Sequence, residues 1–222
     1  MIGRVSEIFH SVQGEGLYLG EKQLFVRLFG CNLSCRFCDT KLNRYKEYEP
    51  QEVVDELRLY HDFHSISFTG GEPLLQKDFL KETMRLSAEA GFKNYLETNG
   101  TLSGELDDVI GYVDIVAMDM KLPSSTETAH LWNFHRRFLK VASRKEVFVK
   151  MIICKSTRPE CLKEALRLIK DVDSSAVAIL QPNSFELDKE LWQKLEEFRG
   201  ACNDEGVIAC VVPQMHKVMG LR

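Results

Sequence analysis

The chain has 222 residues, 44% hydrophobic and 28% charged, with a formal net charge of −4. No apolar run approaches the ~20 residues of a membrane-spanning helix, and a mildly acidic mixture of charges offers no basic footprint for nucleic acid. The opening MIGRVSEIFHSVQGEG lacks the charged-then-apolar pattern of a secretory leader, so a cytoplasmic protein is expected, with its seven cysteines kept as thiols.

In chain order, LFVRLFG (24–30) reads as an apolar strand running into CNLSCRFCDT (31–40). SISFTGGEP (65–73) is a second apolar run, stopped by two glycines, and QKDFLKETMRLSAEAGF (76–92) is a helix closed by Gly91. NYLETNG (94–100), DIVAMDMK (114–121) and the β-branched EVFVKMIIC (146–154) are further strands. In PECLKEALRLIKDV, Leu162, Ala165, Leu166 and Ile169 follow the spacing of one buried helix face. AVAILQPN (176–183), a helix striped by Leu187, Leu191, Leu195 and Phe198, and VIACVVPQ (207–214) complete the series.

Strands alternating with helices predict a parallel sheet covered by helices, and right-handed crossovers curl such a sheet towards a barrel. The expected fold class is α/β: a partial (β/α) barrel of six to seven mostly parallel strands, in a single domain spanning 1–222. In parallel barrels the chemistry lies at the C-terminal ends of the strands. Here the cysteines, GGEP, ETNG, MDMK, QPN and QMHK all fall at such ends. Any one polar strand end is ordinary; six together predict one shared mouth.

The cysteines carry the sharpest signal. Cys31, Cys35 and Cys38 have the spacing C-x3-C-x2-C on a loop directly after a strand. A structural zinc site wants four ligands, and no partner stands at zinc-like spacing. Cys154 and Cys210 fall inside strand runs and Cys161 begins a helix, so these read as small core residues. Three unrelated buried cysteines fit a short polar loop poorly. A four-iron cluster held by three thiolates, with one iron open to an outside ligand, accounts for three rather than four.

With GGEP behind it, this spacing resembles the radical S-adenosylmethionine superfamily. The resemblance implies a 4Fe-4S cluster on Cys31, Cys35 and Cys38, whose open iron takes S-adenosylmethionine. It further implies cofactor contacts from Phe37, which packs on the adenine, and from Cys38 and Asp39 beside it. Gly70, Gly71 and Glu72 match the methionine-binding motif, and Glu97 and Asn99 the next cofactor strand. Asp119, Lys121 and Ser124 lie where ribose and carboxylate contacts are expected, and Gln181 and Asn183 match the adenine edge.

The segment IFHSVQGEGLYLGEKQLFVRLFGCNLSCRFCDT, with the ending PQMHKVMGLR, resembles the 7-carboxy-7-deazaguanine synthase family. That likeness implies 6-carboxy-5,6,7,8-tetrahydropterin as substrate. Val12, Gln13, Gly14 and Glu15 would meet the pterin's hydrogen-bonding edge, and Arg27 would offer a planar fork to its carboxylate. Without the likeness, Arg27 reads as a strand-end salt bridge. Thr69, His216 and the terminal Arg222 map to further substrate contacts, and Thr40 to a ligand of Mg²⁺. The same likeness implies a lyase that releases ammonia, an electron donor such as a flavodoxin or ferredoxin, and a homodimer.

One motif departs from the pattern. AMDMK is less typical of these synthases and resembles activating enzymes that place a glycyl radical in a partner protein. An idle cluster-binding module on the same scaffold is a third alternative, although no cofactor motif is damaged.

Overall fold

The computed structural model describes residues 1–222 except Phe37, Asp39, Lys41, Thr128, Met219, Leu221 and Arg222, together with the side chains of His216 and Val218. Its centre is one sheet of nine strands: β1 (Gly3–Val12), β2 (Lys22–Leu28), β3 (Lys46–Tyr48), β4 (Ser65–Gly70), β5 (Asn94–Thr98), β6 (Ile115–Asp119), β7 (Glu146–Ile153), β8 (Val177–Pro182) and β9 (Ala209–Val211). The order is β3-β1-β2-β4-β5-β6-β7-β8-β9. From β2 to β9 every neighbouring pair is parallel, the expected alternation of strand and helix. The sheet is open, with β3 and β9 as its edges.

β1 and β3 are additions to the seven expected strands. β1 runs antiparallel to both β2 and β3, and Arg4, Glu7 and His10 break the apolar alternation in its sequence. VIACVVPQ shortens to the three residues of β9. Cys210 on this edge strand is exposed, which corrects its reading as a core residue; Cys154 and Cys161 are buried as expected.

Among the described residues eight α-helices cover the sheet: α1 (Pro50–Leu57), α2 (Lys77–Glu89), α3 (Ser103–Val109), α4 (Pro123–Thr126), α5 (Trp132–Ala142), α6 (Pro159–Val172), α7 (Lys189–Asp204) and α8 (Met215–Val218). Their boundaries follow local chemistry. α6 starts on Pro159, has Glu160 in its first turn and ends near Lys170, which suits the helix dipole. α1 is closed by a reciprocal cap between Glu49 and Glu52. Among the described residues no helix is long and apolar enough to cross a membrane.

Period-two alternation sorts the strands into two faces. Leu24, Val26, Ile66, Phe68, Leu96, Val116, Met118, Val149, Met151 and Leu180 enter the large core under the helices. Tyr95, Ile115, Ala117, Phe148 and Ile179 form a second, smaller cluster. These are the residues of opposite parity, so they plug the concave side. Two positions further along the same strands, that parity becomes polar: Glu97, Asp119, Lys150 and Gln181. The plug therefore forms the floor of a polar cavity at the C-terminal ends of the strands.

Candidate active site

A cavity of about 730 Å³ opens there, lined from six strand ends and from the segment before the cysteines. Its wall includes Val12, Gln13, Gly14, Glu15, Arg27, Cys31, Cys35, Cys38, Thr40, Thr69, Gly70, Gly71, Glu97, Asn99, Asp119, Lys121, Gln181 and Asn183. The shared mouth expected from the sequence is thus one cavity. Phe37, Asp39, Arg222 and the side chain of His216 lie outside the described residues.

The cysteine loop is set by close approach of backbones. A Cβ on Gly71 would lie 2.1 Å from the Gly30 carbonyl oxygen, and one on Gly70 would lie 2.1 Å from that of Leu28. Gly70 also holds φ +142°, which glycine alone adopts readily. The Gly71 and Glu72 N–H groups donate to Leu28 and Gly30 at 3.2 and 2.8 Å. The two glycines therefore dock the GGEP turn onto the start of the cysteine loop. Asn32 on that loop accepts from Asn99 Nδ2 at 2.8 Å and donates to Thr101 at 3.0 Å, tying it to the end of β5.

Two expected contacts are not brought to the cavity. Glu72 is fully buried, and its carboxylate accepts from Leu74 N, Thr98 Oγ1 and Asn99 N at 2.8–3.0 Å. Burial pushes its pKa up to about 7 despite those bonds. It braces the turn rather than facing a ligand. Ser124 accepts from the Arg158 N–H at 3.0 Å and does not line the wall.

At the other end, Gln13 is a hub. Its Nε2 donates to Gln23 and to Glu97, both at 2.9 Å, and its Oε1 accepts from the Glu15 N–H at 3.1 Å. Ser67 and Thr69 also donate to Glu97, at 3.0 and 3.4 Å. Arg27 pairs with its cross-strand neighbour Glu7 at 3.5 Å and lies over the Phe9 ring at 5.5 Å. Phe9 stacks on Phe25, rings 5.0 Å apart and 10° from parallel, and both line the cavity. The salt-bridge reading of Arg27 and its place on the cavity wall hold together.

Two supports of the cavity, Lys150 and Gln214, escaped the sequence reading. Lys150 donates to Glu15 and lies 3.6 Å from Asp119, which pairs with Lys121 at 2.8 Å. Burial alone would lower the Lys150 pKa, but Glu15, Asp119 and Glu97 hold it well above the ordinary lysine range. Gln214 donates to Glu15 at 2.6 Å, and Met215 N–H donates to the Gly14 carbonyl at 3.0 Å, so the C-terminal segment docks on the QGEG turn. Lys150 sits in the apolar run VFVKMII, where strand parity with Phe148 and Ile152 was the available signal.

The donors fit a cluster and S-adenosylmethionine. Among the described residues no three His, Cys, Asp or Glu side chains gather tightly enough to share one metal ion. A four-iron cluster asks for a wider set, each thiolate binding its own iron, and the three thiols all face the one cavity. Burial raises the Cys31 and Cys35 pKa values, with Lys121 pulling that of Cys35 back down. Asp119 Oδ1 and both amide atoms of Gln181 are buried without a hydrogen-bond partner among the described residues. Such groups are costly unless a ligand satisfies them, and these two residues line the cavity wall.

Comparison with known proteins agrees. Residues 26–182 match the Radical SAM superfamily. A 7-carboxy-7-deazaguanine synthase from Geobacter sulfurreducens is 33% identical over 97% of this chain and 96% of its own length. One from Archaeoglobus fulgidus is 32% identical over 100% of both chains. The fold superposes on the crystal structure of QueE from Escherichia coli with a TM-score of 0.66, covering 95% of this chain and 94% of that one at 20% identity. The activating-enzyme alternative raised by AMDMK is set aside. The chain belongs to the radical SAM superfamily and, within it, to the 7-carboxy-7-deazaguanine synthase family.

Proposed function

We propose that this enzyme converts 6-carboxy-5,6,7,8-tetrahydropterin to 7-carboxy-7-deazaguanine with loss of ammonia, as a single domain using a 4Fe-4S cluster, S-adenosylmethionine and Mg²⁺. The observation that carries the reading is the shared wall: Cys31, Cys35 and Cys38 line the same cavity as Glu15, Arg27, Thr69 and Glu97. A volume of about 730 Å³ suits a cofactor and a small ring together.

Cys31, Cys35 and Cys38 hold the cluster, while Asp119, Lys121, Gln181 and the 97–99 segment hold S-adenosylmethionine. When bound, these groups supply the radical that opens the reaction. The chain's own residues supply recognition. Glu15 accepts from the pterin N–H edge, the stacked Phe9 and Phe25 give a flat apolar wall, and Arg27 meets the substrate carboxylate. Glu7 fixes the guanidinium plane, which favours a directed contact. Thr40 gives Mg²⁺ one protein oxygen, in keeping with a cation that retains water and substrate ligands. The enzyme works in the cytoplasm as a homodimer, taking its electron from a flavodoxin or ferredoxin.

Arg27→Ala tests the substrate assignment. Anaerobic titration should show carboxytetrahydropterin affinity falling roughly thirty-fold or more, as expected for losing one member of a desolvated charge pair. Iron content and S-adenosylmethionine affinity should be retained. Unchanged pterin affinity, or no binding by the wild type, would contradict the reading.

A further inference from the structure

Resting on the pterin reading, we propose that Lys150 is a positioning residue that sets specificity for the 2-amino edge of the substrate by orienting the Glu15 carboxylate. Glu15 lies in the turn after β1, just before a short 3-10 helix (Gly16–Tyr18), and its backbone alone leaves the side chain several rotamers. Two donors fix it. Gln214 Nε2 reaches Oε1 at 2.6 Å, and the Lys150 ammonium reaches Oε2. A carboxylate offers about four acceptor positions, so these two bonds fix its plane without exhausting its capacity to accept.

Lys150 is itself held from behind. It is fixed in β7 opposite Asp119 in β6, and its Nζ lies 3.6 Å from Asp119 Oδ2. Its inward direction follows from strand parity, since Phe148 two positions earlier belongs to the concave plug. The side chain is 10% exposed. An ammonium buried this deeply needs paired acids to remain there, and Glu15 and Asp119 supply them. The result is a strand-borne cation that orients a turn-borne anion, whereas Gln214 comes from the C-terminal segment.

A pterin presents its 2-amino group and N3–H as adjacent donors. An ionised carboxylate held in plane accepts both; one free to rotate accepts them less selectively. 6-Carboxylumazine carries an acceptor oxygen in place of the 2-amino group, so the ratio of 6-carboxypterin to 6-carboxylumazine affinity reads carboxylate orientation directly.

The experiment is anaerobic fluorescence titration of both ligands into reconstituted wild-type enzyme, Lys150→Met, Gln214→Leu, Glu15→Gln and the Lys150→Met/Glu15→Gln double variant. Lys150→Met should lower the pterin-over-lumazine ratio about tenfold, the size of one lost charge-assisted bond. It should add about nothing to the ratio once Glu15 is already Gln, since contacts acting through one group are not additive. If Lys150→Met does not fold, Gln214→Leu carries the test, with a smaller fall in the same ratio. Equal losses for both ligands, or an unchanged ratio in either variant, would overturn the proposal while leaving the substrate reading intact. A wild type that binds neither ligand would overturn the substrate reading and the proposal with it.

Discussion

Gln13 and Glu97, 84 positions apart, meet at 2.9 Å on the floor of the cavity. This bond joins the turn that precedes the cysteine strand to the end of β5, and the same Gln13 amide holds Gln23 and the Glu15 N–H. All of its polar atoms are engaged by the protein. Gln13 therefore shapes the proposed pterin side by bracing Glu15 and Glu97. Gln13→Leu would strand buried partners at about 1–3 kcal/mol each. Denaturant unfolding should show a clear loss of stability, and pterin affinity should fall more than S-adenosylmethionine affinity. Wild-type stability in the variant would contradict this role.

The glycines of GGEP make a second prediction. Gly71→Ala must push its Cβ away from the Gly30 carbonyl and from Cys31 Cβ, 2.1 and 2.9 Å distant. Overpacking of this kind costs about 1–3 kcal/mol, and here it displaces the loop that carries all three proposed cluster ligands. Iron and sulfide content after reconstitution should drop severalfold. Gly104→Ala, on the exposed face of α3 with nothing within 4 Å, should leave iron content unchanged and stabilise by about 0.4–1 kcal/mol. Equal iron content in both variants would refute the packing account.

His135 in α5 predicts a pH effect. It is fully buried, and burial lowers its pKa from 6.5 to about 4 against the opposing pull of the Asn99 backbone. Between those values the unfolded chain binds the extra proton, so stability falls as pH drops from about 6.5 to about 4 and the loss then levels off. The full effect is of order 3 kcal/mol. His135→Met lacks it, so the melting temperature of the variant should gain on that of the wild type across this window. A difference independent of pH would contradict the buried, neutral imidazole.

The seven parallel strands and their common mouth were legible because buried parallel strands read as apolar runs that end where polar residues begin. β1 and β3 were not, because β1 carries charges at irregular intervals and β3 is three residues long. In the site, the cysteines and the QGEG turn announced themselves by residue type. Lys150 did not, since one lysine among β-branched neighbours looks like a strand-end charge until register sets it opposite Asp119. Glu72 shows the converse. A motif marks its position, but only the fold reveals that its carboxylate is spent on the Leu74, Thr98 and Asn99 donors.

The most direct measurement is anaerobic incubation of the reconstituted enzyme with S-adenosylmethionine, Mg²⁺, a reductant and 6-carboxy-5,6,7,8-tetrahydropterin, read by mass spectrometry. 7-Carboxy-7-deazaguanine and ammonia should form in equal amounts. Cys31→Ala, Cys35→Ala and Cys38→Ala should each abolish the product, and Cys154→Ala, whose thiol is buried outside the cavity wall, should retain it. Cleavage of S-adenosylmethionine without any deazapurine product from the wild type would contradict the proposed function.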